Sequence, residues 1–265
     1  MKTQYKHLLQ RTYLVLVFGF MYLPIAVLIA YSFNENKSRA VFTGFSLKWY
    51  ASLFHNEMIL SALGLSLVLA FVSAIIATVL GTLATIGINS MSRKAQLIIN
   101  NISYVPVVNP EIITGVALFL LFVSLGITQG FTTVVLAHIT FCVPYVVLSV
   151  LPKLRQMNPS LYEAALDLGA TPMQALRKII IPEIKPGIIS GFILSFTLSF
   201  DDFVISLFTI GNEGLQTLST YIYADARKGG LTPELRPLTS LIFIVVLLLL
   251  VIVNLRAGKS AKNNE

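Results

Sequence analysis

Only one cysteine, Cys142, occurs in 265 residues, so no intrachain disulfide can form, and its place inside an apolar run leaves the redox compartment unmarked. The three histidines, His7, His55 and His138, are too scattered to suggest a metal site. Charge is also scarce: Asp, Glu, Lys and Arg make up 12% of the chain, against about a quarter in ordinary soluble domains, while 55% is hydrophobic. The sequence contains no Gly-x4-Gly-Lys-Ser/Thr phosphate loop, no nucleophile elbow and no zinc-binding helix motif, so it gives little support to an enzyme and none to nucleotide binding by this chain. Together these absences exclude the usual soluble catalyst and point to an integral membrane protein.

What fills the chain instead is long apolar runs. Crossing about 30 Å of hydrocarbon takes roughly 20 apolar residues, and six runs qualify, at 12–33, 58–88, 105–125, 131–151, 187–210 and 238–255. The predicted fold class is all-α integral membrane, with six transmembrane helices forming a single transmembrane domain over residues 1–265. The first run follows Lys2, Lys6 and Arg11 as a signal peptide would, but it is too long and lacks a small-residue cleavage site, so it is expected to stay as an uncleaved anchor.

The net charge of +7 does not indicate nucleic acid, because the basic residues lie in short loops and form no patch with interleaved aromatics. With six spans, thirteen of the nineteen lysines and arginines fall on the side that holds both termini, residues 89–104 and residues 152–186. The positive-inside rule makes that side cytoplasmic. The opposite side holds the segments 34–57 and 211–237; the first carries the aromatic stretch Phe45 to Tyr50, suited to the membrane interface, and the second mixes Glu213, Asp225 and Glu234 with Arg227 and Lys228 and could receive a soluble partner.

The cytoplasmic segment 152–186 carries helix punctuation. Ser160 and Glu163 have the spacing of a capping box, with Pro159 just upstream, and Gly169 suits the left-handed exit residue. Thr171-Pro172-Met173-Gln174 restarts the pattern, and the second helix is expected to run through Arg177 and Lys178 and stop at Pro182. Ala164, Ala165 and Gly169 give the first helix a small-residue surface, flanked by Glu163 and Asp167, against which another protein could pack.

Every lysine and arginine falls outside the six runs, whereas Glu111, Asp201 and Asp202 fall within or close to them. Ionisable groups at membrane depth cost at least a few kcal/mol and by default face a cavity or a partner. With no basic residue in any run to pair them, a cationic substrate is the simplest partner; protonation, pairing with another subunit or a place nearer the interface competes for each residue alone. Adjacent residues on a helix point about 100° apart, so Asp201 and Asp202 take different faces. Ser195, Ser199, Asp202 and Ser206 form a polar stripe on one continuous fifth span, which ranks Asp202 above Asp201 as a pathway residue. Glu111 follows Pro106 and Pro110, which should kink the helix and free backbone carbonyls beside Asn109. Phe196, Phe200 and Phe203 lie near the stripe, where cation–π contact could hold an alkylammonium group; Gly187 and Gly191 form a small-xxx-small packing pair.

Glu163-Ala164-Ala165, three residues, Gly169, nine residues, then Ile179-Ile180-Ile181-Pro182 resembles the EAA loop of ABC importer permeases, with Ile181 where leucine is usual. His138 to Tyr145 and Ser195 to Asp202 extend the resemblance to the spermidine/putrescine permease branch, nearest its shorter permease, over almost the whole chain. The resemblance implies a type I importer permease fold in a bacterial inner membrane, with a coupling helix that fits a cleft of an ATPase through Glu163, Ala164, Ala165, Asp167, Gly169, Ile179 and Pro182. It implies a related permease as heterodimer partner, two copies of an ATP-binding subunit that hold ATP and Mg2+, and an extracytoplasmic polyamine-binding protein; no cofactor or metal is expected on this chain. Asp202, Asp201, Glu111, Asn109 and Ser199 become the expected substrate pathway. An importer of another cationic or amino-containing solute remains open, as does an ion-coupled secondary transporter using the carboxylates; anionic cargo is disfavoured by the lack of basic groups in the runs.

Overall fold

A computed structural model describes residues 2–37, 41–158, 160–211, 214–230 and 232–262. Pro159 and Glu213 lie outside the described residues. Regular structure among the described residues is helical, with one isolated antiparallel bridge between Asn34 and Phe45. The chain gathers into two compact units, 1–60 with 224–265, and 61–223.

In the first unit, α1 (Lys2–Ser32) packs on α12 (Leu235–Lys262), and α12 packs on the short α2 (Lys48–Leu53). All side chains from 10 to 24 are exposed, including Phe20 at 81%. In water such a continuous apolar surface is rare on a lone soluble protein; in lipid it carries no penalty. Phe45 and Tyr50 both stack on Phe33, with centroids 5.2 Å apart, and the Trp49 indole Nε1–H donates to the Asn34 carbonyl at 2.8 Å. The aromatic stretch thus folds back onto the end of α1.

The second unit is built on the antiparallel-adjacent pair α6 (Phe131–Gln156) and α9 (Ile181–Asp201), whose close packing passes through Gly187 and Gly191. A Cβ on Gly191 would lie 3.2 Å from Val146 Cγ1, so the two backbones approach closely at the expected small-residue pair. Phe141, Val146 and Val150 of α6 bury against Ile184 of α9, Ile205, and Leu118 of α5 (Glu111–Ser124).

Four helical stretches among the described residues are long and apolar enough to cross a membrane: Gln10–Ser32, Glu57–Asn89 (α3), Phe131–Gln156 and Pro172–Asp201. Two runs depart from simple spans. Residues 105–125 do not form one helix: α4 (Arg93–Val108) and α5 meet at a bend of 102°. Pro110 has no N–H and its ring disfavours a helical residue before it, which leaves Asn109 extended at φ −74° and ψ 135°. Pro106, by contrast, sits inside α4. The run 187–210 is also broken, because Asp202 is extended with ψ 133° between α9 and α10 (Val204–Thr209). The last run, 238–255, lies within the single helix α12.

The segment 152–186 contains α7 (Ser160–Asp167), a glycine corner and α8 (Pro172–Ala175). Gly169 turns the corner at φ +84°, a left-handed value that suits glycine. Thr171 and Gln174 make the expected reciprocal cap: the Gln174 N–H donates to Thr171 Oγ1, and the Thr171 N–H donates to Gln174 Oε1. Two expectations fail here. Asn158 caps α7 in place of the Ser160–Glu163 box, its Oδ1 accepting from the Ser160 N–H at 3.0 Å. Pro182 also does not end the second helix. A π-helical turn, Leu176–Ile180, joins α8 to α9, and the Ile181 N–H donates to the Leu176 carbonyl five residues back. The wider turn loosens the backbone directly ahead of Pro182, which then sits in the first turn of α9 where its missing N–H costs little.

Candidate functional site

The break between α9 and α10 is made by Asp202. Its Oδ1 accepts from the Ile205 N–H at 3.1 Å and its Oδ2 from the Ser206 N–H at 2.8 Å, so the carboxylate caps the first turn of α10. Breaking the helix here exchanges backbone bonds within it for side-chain acceptors. His138, reaching in from α6, completes the arrangement: its Nδ1 lies 2.7 Å from Ser199 Oγ, and its Nε2 lies 3.0 Å from Ser206 Oγ and 3.4 Å from Asp202 Oδ2. His138, Ser199, Asp202 and Ser206 are all buried.

Several sequence expectations change at this point. The stripe Ser195, Ser199, Asp202 and Ser206 does share one side, but it faces the protein interior and crosses a helix break. Asp202 is 6% exposed, whereas Asp201, the last residue of α9, is exposed, so it is Asp201 and not Asp202 that presents its carboxylate at the surface of this chain. Asp202 also has a titratable partner within its own chain. The sequence carries no local signal for this role of His138, because Ser199 lies sixty-one residues further along the chain.

Glu111 occupies the first turn of α5 and is exposed, next to half-buried Asn109 at the 102° bend. An acid there complements the positive N-terminal end of the helix dipole. It is also close enough to Asp202 and Asp201 for the three charges to interact, and Tyr145 on α6 lies within the same range of Glu111. The two broken helices are packed together, since α5 rests on α10; a Cβ on Gly115 would lie 3.2 Å from Phe208 Cδ2. Two exposed carboxylates, backed by a buried one, therefore gather where two helices are interrupted. Along α9, Phe192, Phe196 and Phe200 stack in series with centroids 6.5 Å and 6.1 Å apart and lead toward Asp201. Phe203, just beyond the break, packs on Tyr223 at 4.5 Å.

The glycine-corner element forms a second surface. Glu163, Ala164, Asp167, Gly169 and Pro182 are exposed, Ile179 is half-buried, and Ala165 turns inward. Leu168, at the corner, is 89% exposed and Met173 61% exposed, so apolar groups stand beside the acidic ones. Beneath them lies a cavity of about 450 Å³ lined by Tyr162, Glu163, Met173 and Leu176, with Ile86 and Leu154 from the ends of α3 and α6. Such a surface suits docking by a second protein more than chemistry.

Residues 77–258 match the family model described as "Binding-protein-dependent transport system inner membrane component". The chain is 34% identical over 252 residues to the spermidine/putrescine transport system permease protein PotC of Haemophilus influenzae, with 95% of this chain and 97% of that protein covered. It is 40% identical over 238 residues to the putrescine transport system permease protein PotI of Escherichia coli strain K12, covering 86% and 83%. Its fold is similar to a chain in the crystal structure of a bacterial ABC transporter involved in alginate import, with a TM-score of 0.76 at 12% identity and coverage of 96% and 97%. Broken apolar helices, a glycine-cornered surface element and these similarities agree: the chain belongs to the family of binding-protein-dependent transport system inner membrane components, the permease subunits of ABC importers.

Proposed function

We propose that this chain is one permease of an ATP-driven polyamine importer and that Glu111 and Asp201 meet the cargo. The observation that carries this reading is the gathering of the two exposed carboxylates, with Asp202 behind them, at the interruptions of two packed helices. The predicted apolar runs contain no lysine or arginine to neutralise them. A polyamine supplies several ammonium groups on an apolar backbone, and the phenylalanine series on α9 offers faces for cation–π contact along the approach to Asp201. The similarity to two polyamine permeases supports the same substrate class.

In this mechanism the chain spans the membrane six times with both termini in the cytoplasm, as the lysine and arginine distribution favours. The paired permease, two ATP-binding subunits and an extracytoplasmic polyamine-binding protein complete the assembly, and ATP with Mg2+ binds the ATPase subunits. Released polyamine exchanges part of its hydration for Glu111 and Asp201, with Asn109 beside them at the bend. Asp202 adds negative potential from within the protein, and Ser199 supports it through His138. Closure of the ATPases pushes Glu163, Ala164, Asp167 and Gly169, and the push passes along the unbroken course of α8, the π-turn and α9 to the break at Asp202. The spans then alternate between outward and inward access; the carboxylates must attract without trapping.

The test is uptake of labelled spermidine and putrescine by cells lacking their own polyamine importers and expressing the complete transporter with or without this chain. Uptake that requires this chain and ATP, and that survives collapse of the proton gradient, supports the proposal. Uptake that follows the membrane potential without the ATPase overturns it in favour of an ion-coupled transporter.

A further inference from the structure

We propose that His138 is a positioning residue of the transport pathway: it ties together the two halves of the interrupted α9–α10 segment and thereby sets the spacing of Asp201 and Glu111. One fully buried ring touches three places in that segment: Ser199 in α9, Asp202 in the break and Ser206 in α10. A neutral imidazole has one donor and one acceptor nitrogen. Because the Asp202 carboxylate faces Nε2, the neutral tautomer that fits carries its proton there, toward Ser206 Oγ and Asp202, and its Nδ1 accepts from the Ser199 hydroxyl. Each half of the interrupted segment thus has a bond to the same ring.

The ring is itself carried by a fixed reference. α6 lies against α9 through Gly187 and Gly191, so His138 does not move independently of the lower part of α9. On the other side of the break, α10 packs on α5 at Gly115, one turn after Glu111. A chain of contacts therefore runs from α6 through His138 to α10 and on to the helix that carries Glu111, while Asp201 is the neighbour of the residue that His138 holds. A leucine would fill the same space without any of these polar contacts, so the ring adds a link between the two halves that packing alone does not supply.

The consequence for transport rests on the cargo-facing reading of Glu111 and Asp201, so the experiment has one arm that does not depend on cargo. In the assembled transporter, amide hydrogen exchange over residues 204–209 and the KM and Vmax for spermidine uptake are measured for His138→Leu and His138→Gln. Leu removes all three polar contacts; Gln keeps a donor and an acceptor. His138→Leu is expected to speed exchange in α10 by about tenfold and to raise KM by more than it lowers Vmax, with Gln returning both to within about threefold of the parent. Unchanged exchange in His138→Leu overturns the proposal, as does a Gln variant no better than Leu, or faster exchange with an unaltered KM. If His138→Leu fails to assemble, Ser206→Ala removes one partner without a change of fold-scale volume; faster α10 exchange in it supports the tie and parental exchange overturns it. Should the parent transporter move no polyamine, the assigned cargo falls, and the exchange arm alone decides whether His138 ties the break.

Discussion

A Cβ on Gly187 would lie 2.9 Å from the carbonyl oxygen of Ser149, which fixes α9 against the backbone of α6 at a distance that only glycine allows. The same group would lie 3.1 Å from Val150 Cα, so moving the Lys153 side chain, 3.0 Å away at Cγ, would not relieve the contact with backbone. Gly187→Val is therefore expected to destabilise the helix pair by about 1–3 kcal/mol, the usual cost of overpacking. Gly191→Ala, which meets Val146 Cγ1 at 3.2 Å, should cost less. Thermal unfolding of the purified transporter measures both, and a parental midpoint for Gly187→Val would show that the close approach does not hold.

Asp202 holds two amides of α10 and faces His138, and it does so while almost fully buried. Asp202→Ala leaves those amides and the imidazole without their acceptor, at an expected cost of about 1–3 kcal/mol. Asp202→Asn keeps one acceptor oxygen and should be milder. Thermal stability of the assembled complex and its uptake rate should fall together in the order parent, Asn, Ala. An Ala variant that matches the parent in stability but loses uptake would instead make Asp202 a direct cargo contact.

The contrast between these two positions shows which features sequence made legible. Gly187 and Gly191 could be paired because helix packing repeats at a spacing of four, and Gly169 and the Thr171–Gln174 cap could be placed because their chemistry is local. The break at Asp202 was hidden within an apolar run long enough for a span, since hydropathy does not report whether a carboxylate turns outward or back onto its own backbone. His138 was hidden for a different reason: its partners lie sixty-one and sixty-eight residues away, and only packing of α6 on α9 brings them together. Pro182 misled because a π-turn five residues long absorbs the proline that would stop an ordinary helix. Pro110, in contrast, interrupts the helix where its local rule requires, leaving Asn109 extended at the bend.

Glu111 and Asp201 are both exposed, and their charges are close enough to influence one another. Removing either charge with little change in shape, by Glu111→Gln or Asp201→Asn, is expected to raise the KM for spermidine by about three- to tenfold, equivalent to roughly 0.7–1.4 kcal/mol. The double variant should lose more than either single one, and the effect should be smaller for putrescine, which presents fewer ammonium groups. Uptake kinetics at several salt concentrations provide the check. KM values equal to the parent's for both single variants would remove these residues from the pathway.

Leu168 is 89% exposed at the glycine corner, beside exposed Glu163 and Asp167. Burying a leucine is worth about 1.5–3 kcal/mol, so leaving it in water makes sense where another subunit covers it. On the coupling proposal, the ATPase supplies that cover and the acidic residues orient it. Leu168→Asp is then expected to weaken ATPase binding by about tenfold or more, since each 1.4 kcal/mol corresponds to a factor of ten. Glu163→Lys should reverse the charge at the same surface and reduce both ATPase capture and uptake. Neither substitution touches α9 or α10, so stability of the isolated permease pair should remain at the parental value. Co-purification of the ATPase, measured alongside that stability, separates lost docking from lost folding. Normal ATPase capture and normal uptake in both variants would place the docking surface elsewhere on the chain.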